Sequence, residues 1–474
     1  MERLTVDICV IGGGSAGLSV AAGASQLGAS VVLCERHKMG GDCLNFGCVP
    51  SKSVIAAAEH AEAMRRGRRF GVNGATPTVD YRALRDHVRA VIAAIAPTDS
   101  VERFTGLGVR VIEASARFVA ADEIEADGVR VKARRFVIAT GSAPAVPPIP
   151  GLEAVPYLTN ETVFDLDERP RHMIVVGGGP IGCELAQAHR RLGADVTVLE
   201  MASIMPKDDP ELVDFVRRRL IGDGVALVEG AKVTAIERAG HDIVAAVETG
   251  EGERRIVGSH LLLAAGRRPN LNDLDLVAAG VKYSNAGVEV DARLRTSNPK
   301  IFAIGDSAGG PQFTHMANYH AGIVIRNALF RWPAKVDGRA VPWVTFTEPE
   351  LAQVGLTEEA ARQRQGEDLS ILRWPFHEND RAQAQRTVEG LIKVVATRRG
   401  KVLGAGIVGA HAGELILPWG LACLGKVKLS DLAGMIAPYP TLSEVSKRAA
   451  GSYFTPKLFS PRTRAIVRFL ARFG

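Results

Sequence analysis

One glycine-rich pattern occurs twice in this chain, in the same order and at a fixed distance, and no other feature restricts the fold as strongly. A short strand, Asp7 to Ile11, leads into Gly12, Gly14 and Gly17; a helical run from Ser15 to Leu27, a second strand from Val31 to Cys34, and Glu35 follow. This is the opening of a βαβ unit. The glycines permit a tight turn, close backbone approach to a pyrophosphate and packing of helix on strand. The helix N-terminus faces the phosphates, and Glu35 accepts from a ribose hydroxyl. Displaced by 165 positions, with no gap, stand Gly177, Gly179 and Gly182, then Gly193-Ala194 for Gly28-Ala29, and Glu200 for Glu35. One such turn alone also fits an ordinary strand-to-helix connection. Two complete copies imply two bound dinucleotides. Glu200 suits a ribose 2′-hydroxyl and repels a 2′-phosphate, and Met201-Ala202-Ser203 offers no arginine to receive one, so NADH is expected over NADPH.

The 474 residues suffice, at roughly 100–200 per domain, for about three domains with buried cores. Hydrophobic residues make up 46% and charged residues 23%, which excludes a disordered or fibrous chain, and 50 glycines suit a loop-punctuated α/β protein. A formal charge of +6 is modest for this length, so no nucleic-acid partner is expected. Six cysteines do not make an extracellular disulfide framework, no run approaches the ~18 apolar residues of a membrane span, and the N-terminus enters a strand without a charged leader. A cytoplasmic protein is expected.

Just beyond Glu35 lies Gly40-Gly-Asp-Cys43-Leu-Asn-Phe-Gly-Cys48-Val-Pro-Ser-Lys52, with two cysteines five positions apart. Three readings compete. One is a pair of buried core cysteines, which the scattered Cys9, Cys34, Cys183 and Cys423 are expected to be. A metal site is the second, but no further Cys/His pair stands at familiar ligand spacing. The third is a redox pair, and Gly47 and Pro50 favour it by marking a specially shaped helix start. Helix N-terminal amides, with Lys52 close by, stabilise a thiolate near neutral pH.

Together with Ala139-Thr140-Gly141-Ser142, Ala265-Gly266-Arg-Arg-Pro-Asn270 and Ile301-Phe-Ala-Ile-Gly-Asp306, these motifs resemble the flavin-dependent pyridine nucleotide–disulfide oxidoreductases over essentially the whole chain. That group contains dihydrolipoamide dehydrogenase, glutathione reductase and mercuric reductase. The resemblance implies an α/β fold with two Rossmann-like dinucleotide-binding domains, for FAD and NAD, and an α+β C-terminal dimerisation domain. It implies an FAD-binding domain over residues 1–150 and 267–340, an NAD-binding domain over 151–266, and an interface domain over 341–474 in a homodimer. Thr347-Glu-Pro-Glu350 with Val354-Gly355 resembles the start of that last domain. Electrons would run from NADH to FAD to a Cys43–Cys48 disulfide and on to an acceptor, or in reverse. Cys48 would lie against the flavin ring and Cys43 would exchange with substrate. Asp306 would hold the ribityl chain, and Lys52 with Glu184 would form an ion pair beside the reactive flavin nitrogen. Thr140, Gly141, Ser142 and Gly266 fall within the cofactor-binding motifs. Thr314-His315 would open a helix whose N-terminus faces the reduced flavin, with His315 packed there.

The pattern departs at one place. Disulfide-reducing relatives set a histidine before the proline of a C-terminal Pro-Thr motif, and a glutamate five residues later. Here the sequence reads Ala437-Pro-Tyr439-Pro-Thr-Leu-Ser-Glu444, so Glu444 is present while Tyr439 takes the histidine's place. A phenol of pKa ~10, against ~6.5 for histidine, is a poor base at pH 7, and such proton transfer is worth roughly 10²–10⁴-fold. Dihydrolipoamide dehydrogenase-like chemistry is the family default. Tyr439 motivates a mercuric-reductase-like, quinone or metal-ion reductase instead, although mercuric reductases also carry a C-terminal cysteine pair and the last cysteine here is Cys423. The expected acceptor is therefore a small-molecule disulfide, a quinone or a metal ion. A redox-sensing binding protein is the alternative of another class.

Outside these motifs, the helical segment Tyr81 to Pro97 and the basic run Arg65 to Arg69 are expected to form an exposed excursion. The final segment, Thr463 to Phe473, sets Arg464, Arg468 and Arg472 on one stripe and Ile466, Phe469, Leu470 and Phe473 elsewhere. This basic amphipathic helix suits docking on its own dimer or a weak membrane-surface contact.

Overall fold

A computed structural model describes residues 2–473 and divides the chain into two compact units. The first comprises Met1–Gly177, Ala188–Leu199 and Ala231–Val336; the second comprises Gly178–Gln187, Glu200–Gly230 and Asp337–Gly474.

The first unit is built on a seven-stranded sheet in the order Val109–Ile112, Val31–Cys34, Glu2–Ile11, Val129–Ile138, Glu123–Ala126, Arg117–Ala120, with Ile301–Ala303 also paired to Val129–Ile138. The strand Glu2–Ile11 runs parallel to both neighbours, Ile8 opposite Val31 and Cys9 opposite Phe136. Its side chains alternate between two cores. Ile8 and Val10 join Leu33, Val137, Ile323 and Val324, whereas Cys9 and Ile11 join Phe118, Ile124 and Phe136 on the other face. The strand begins five residues earlier than its apolar run, because Glu2–Val6 pair with Val129–Ala133 while remaining largely solvent-facing. Three further strands, Asp195–Glu200, His172–Val176 and His260–Leu263, pair in parallel in that order. Lys232–Ala239, Asp242–Thr249 and Gly252–Gly258 form an antiparallel meander.

The helix Tyr81–Ile95 narrows the expectation of an exposed excursion, since most of its residues are exposed but one stripe is not. Tyr81 and Val88 are buried against Val54, Ala58, Ala188 and Leu192, so an amphipathic stripe holds the helix down while its other face stays wet. The basic run beside it is solvated, with Arg65 and Arg66 paired to Glu62 on their own helix.

The second unit carries a five-stranded antiparallel sheet in the order Pro342–Thr345, Glu350–Gly355, Val402–Gly409, Leu391–Thr397, Leu369–Pro375. Its core gathers Phe376, Ile392, Ile407, Trp419, Val445 and Ala449. The Trp419 indole donates to Ser446 Oγ at 3.0 Å, which satisfies the one polar atom that its burial would otherwise strand. Lys393, 6% exposed, points into a nest of carboxylates, with Nζ 2.8 Å from Asp209, 2.8 Å from Glu211 and 2.7 Å from Glu358. The last helix, Pro461–Leu470, is capped by Ser460 and contains no buried residue.

Candidate active site

The two glycine turns are the same structure twice. Gly12 has φ +110° and donates to Cys34 O at 2.8 Å; Gly177 has φ +112° and donates to Leu199 O at 2.9 Å. A Cβ on Gly12 would collide with the Ala139 carbonyl, and one on Gly177 with the Ala264 carbonyl, so only glycine fits either place. Gly17 cannot be replaced either, because its Cβ would run into the carbonyl of Gly12. Glu35 accepts from Gly13 N at 2.5 Å and from His37 N at 2.7 Å. Glu200 does the same with Gly178 N at 2.7 Å and Ala202 N at 2.9 Å. Past the second turn, Gly179 has open space where a side chain would stand, and Gly182 lies in the helix Pro180–Arg191.

The helix Ser15–Gln26 begins at Gly14 with no described side chain capping it and no acidic residue in its first turn. Its leading amides are thus left for an anion, and a Cβ on Gly14 would meet nothing nearer than 3.8 Å, so that side is open. The cysteine segment docks against this same turn: Gly40 N donates to Gly13 O at 2.9 Å, and a Cβ on Gly41 would approach Gly14 Cα to 2.7 Å.

Cys43 lies in the short helix Gly41–Asn45, and Cys48 opens the helix Cys48–Arg66, whose N-cap is Gly47 and whose first turn carries no acidic residue. Both thiols are free, with Cys43 partly buried and Cys48 exposed. They titrate unequally. The hydrogen bond from Cys43 lowers Cys48 to about 6, helped by Thr314 and the charge of Lys52 and opposed first by burial and then by the charge of Asp42. The same bond, with burial, holds the proton on Cys43, whose pKa is raised. Thr314 Oγ1 stands 3.3 Å from Cys48 Sγ at the start of the helix Thr314–Ala328, whose first turn also lacks an acid. His315 stacks on Phe313. Cys9, Cys34, Cys183 and Cys423 are buried in the cores.

Asp306 sits beside this site. Burial raises its carboxyl, and Ser142 Oγ donates to it at 2.5 Å. Arg267 donates to Ser142 Oγ and to Ser142 O, both at 2.8 Å. Thr140 Oγ1 donates to Asn270 O at 2.7 Å, Gly141 O accepts from Asn270 N at 3.0 Å, and Gly266 O accepts from Ala145 N at 2.9 Å, so these motifs brace one another around the Ser142–Pro144 and Arg267–Pro269 ladder. An open glycine turn with uncapped amides, a terminal glutamate, a partly buried carboxylate with acceptor capacity to spare and two thiols at helix starts fit a flavin dinucleotide and its electron partner.

In the second unit, Glu184 is 6% exposed and accepts from Phe346 N at 2.8 Å. Tyr439 is 71% exposed, and its hydroxyl donates to Asp380 Oδ2 at 2.9 Å. The carboxylates of Asp380 and Glu444 push its phenol further up from the ordinary value. Glu444 begins the helix Glu444–Ser452. Sequence reasoning did not find Asp42, Asn160, Arg267 or Asp380. Arg267 and Asp42 stood in recognised motifs and could have been singled out; Asn160 and Asp380 carry no local signal.

Residues 6–321 match the family model of the pyridine nucleotide-disulphide oxidoreductases, and residues 341–450 match that of their dimerisation domain. Over 448 residues the chain is 37% identical to a mercuric reductase of Lysinibacillus sphaericus, covering 94% of this chain and 82% of that protein. Over 459 residues it is 37% identical to a dihydrolipoyl dehydrogenase of Thermus scotoductus, covering 94% and 97%. The solved Cu(II) complex of the HOCl-induced flavoprotein disulfide reductase RclA from Escherichia coli superposes with a TM-score of 0.84 at 27% identity, covering 93% of this chain and 99% of that one. Fold and site together define a flavin-dependent oxidoreductase of class I. The chain belongs to the pyridine nucleotide–disulphide oxidoreductase family, whose members use FAD and NAD(P)H. The dimerisation domain supports a homodimer. Among the described residues, no helix is long and apolar enough to cross a membrane.

Proposed function

We propose that this enzyme moves two electrons from NADH through the Cys43–Cys48 pair to an acceptor that needs no proton delivered at position 439, a soft metal ion before a disulfide or a quinone. The observation that carries this reading is Tyr439, whose hydroxyl is committed to Asp380 and whose phenol is held protonated. For a divalent acceptor the balance is NADH + M²⁺ → NAD⁺ + H⁺ + M⁰. Bound FAD would supply the two-electron chemistry that takes hydride from the nicotinamide and passes two electrons to the disulfide.

The protein's own groups divide the rest of the work. Cys48, ionised at neutral pH, is the thiolate facing the flavin, while Cys43 keeps its proton until substrate arrives. Lys52 and Thr314 stabilise the Cys48 sulfur, and Glu184 is the partner assigned to Lys52. Gly12, Gly14, Gly17, Glu35, Thr140 to Ser142, Gly266 and Asp306 hold FAD; Gly177, Gly179, Gly182 and Glu200 hold the nicotinamide dinucleotide. We assign residues 1–150 and 267–340 to FAD binding, 151–266 to NAD binding and 341–474 to the dimer interface. Both oxygens of Glu200 face backbone amides, which keeps its charge where a 2′-phosphate would have to sit and supports NADH. The reading also includes residence in the cytoplasm and a membrane-surface contact through the C-terminal helix. Five cations, Lys457, Arg462, Arg464, Arg468 and Arg472, accompany exposed Ile466, Phe469, Leu470 and Phe473, with no acid beyond Glu444, a composition complementary to an anionic lipid surface.

The deciding assay follows NADH and NADPH oxidation with Hg(II), lipoamide and a benzoquinone, in wild type and Tyr439→His. Metal-dependent turnover with NADH is expected, with lipoamide roughly 10²-fold or more slower until histidine is restored. Wild-type lipoamide turnover on the order of 1–10³ per second, without metal-dependent oxidation, overturns the proposal in favour of dihydrolipoamide dehydrogenase chemistry.

A further inference from the structure

We infer that Asp42 and Arg267 act as a charge pair that positions the redox cysteines and meters the negative charge beside them. Asp42 immediately precedes Cys43, in the helix Gly41–Asn45. Its Oδ2 lies 3.2 Å from Arg267 Nη2, with the two side chains 35% and 12% exposed. Its Oδ1 accepts from Asn160 Nδ2 at 3.1 Å, and the same amide donates to Phe46 O at 3.1 Å. Asn160 is buried, so one side chain ties together the residue before Cys43 and the backbone just ahead of Cys48.

Arg267 carries the tie further. Its guanidinium donates to Ser142 Oγ, which in turn donates to Asp306, so the cation lies between two carboxylates, one on the cysteine loop and one on the segment assigned to the flavin. A half-buried carboxylate next to a thiolate is an awkward choice for bracing, because it opposes ionisation of the sulfur. The ionisable groups acting most strongly on Cys48 are Cys43, Lys52 and Asp42, and of these Asp42 is the one that disfavours the thiolate. Arg267 lets the carboxylate hold the loop while cancelling part of that charge. Both are positioning residues, acting on the sulfur through its surroundings.

The charge reading makes opposite predictions for the two partners, which simple bracing does not. The readout is the pH dependence of iodoacetamide alkylation at Cys48 in the dithiol-reduced holoenzyme, located by peptide mass spectrometry, and it does not involve the electron acceptor. Below the midpoint, Asp42→Asn is expected to alkylate about threefold faster than wild type and Arg267→Gln about threefold slower, for a unit charge acting across a partly solvated site. The double variant returns close to wild type. Arg267→Lys, which keeps the charge but loses the fork, stays near wild type; Arg267→Met, which also removes the charge, serves in place of Arg267→Gln if that variant loses its flavin. An unchanged profile for Asp42→Asn overturns the inference, as does a shift of the same sign for Asp42→Asn and either neutral Arg267 variant. Because alkylation is read without turnover, this result stands apart from the identity of the acceptor.

Discussion

At the scale of single residues, the dithiol is asymmetric before any substrate is present. Cys48 has its sulfur at a helix start, takes a hydrogen bond from Cys43, and lies near Thr314 and Lys52; Cys43 has Thr314 and Ser15 acting the same way, but its bond to Cys48 and its burial outweigh them and it keeps its proton. The sign follows from the folded pKa of about 6: alkylation of Cys48 in the reduced enzyme should rise as pH climbs through about 6 and level off above it. Lys52→Met removes a cation that favours the thiolate, so the midpoint should move to higher pH. Cys43→Ala, which deletes the largest stabilising contact, should move it further than Lys52→Met. Equal reactivity of the two thiols across the pH range would remove the assignment of roles. The cysteine pair itself was legible from Gly47, Pro50 and Lys52, because helix-start chemistry is local. The Asn160 amide was not, since it meets Asp42 from 118 positions away and no periodicity announces a contact made by a folded turn.

At the scale of elements, the strands and helices flanking the first glycine turn were legible to within a residue or two wherever burial drove them, as at Val31–Cys34, and mislaid where it did not, as at Glu2–Val6. The helix Tyr81–Ile95 shows the converse: a segment expected to be an exposed excursion leaves most of its residues exposed yet buries Tyr81 and Val88 on one stripe. The carboxylate nest around Lys393 was wholly silent in the sequence, because its members come from three separate elements. Asp209 there also caps the helix Pro210–Gly222, accepting from Glu211 N at 3.0 Å. Lys393→Met should therefore cost about 3–5 kcal/mol, the usual penalty for stranding a buried charge, read as a lower midpoint in chemical denaturation. A change under about 1 kcal/mol, the scale of an exposed ion pair, would mean that water reaches the nest.

At the scale of the whole molecule, the two family models cover residues 6–321 and 341–450, and the segment beyond 450 matches neither. That segment exposes Leu458, Phe459, Ile466, Phe469, Leu470 and Phe473. Removing residues 455–474 should abolish cosedimentation with phosphatidylglycerol vesicles, leave phosphatidylcholine vesicles unbound as before, and preserve the dimer in sedimentation analysis; raising salt should weaken the wild-type binding. A truncated protein that becomes monomeric would instead assign the helix to the subunit interface.

The glycine seam between Gly14 and Gly40–Gly41 links two properties that biochemists usually manipulate separately. Any side chain at position 41 must displace Gly14, and with it the leading amides of the nucleotide helix; any shift of Gly14 pushes back on the segment that ends at the redox thiols. A genetic screen for variants that retain flavin while losing thiol chemistry should return changes at 43 and 48 and almost none at 41. For directed evolution, this seam is a boundary across which cofactor affinity and thiol reactivity cannot be tuned independently.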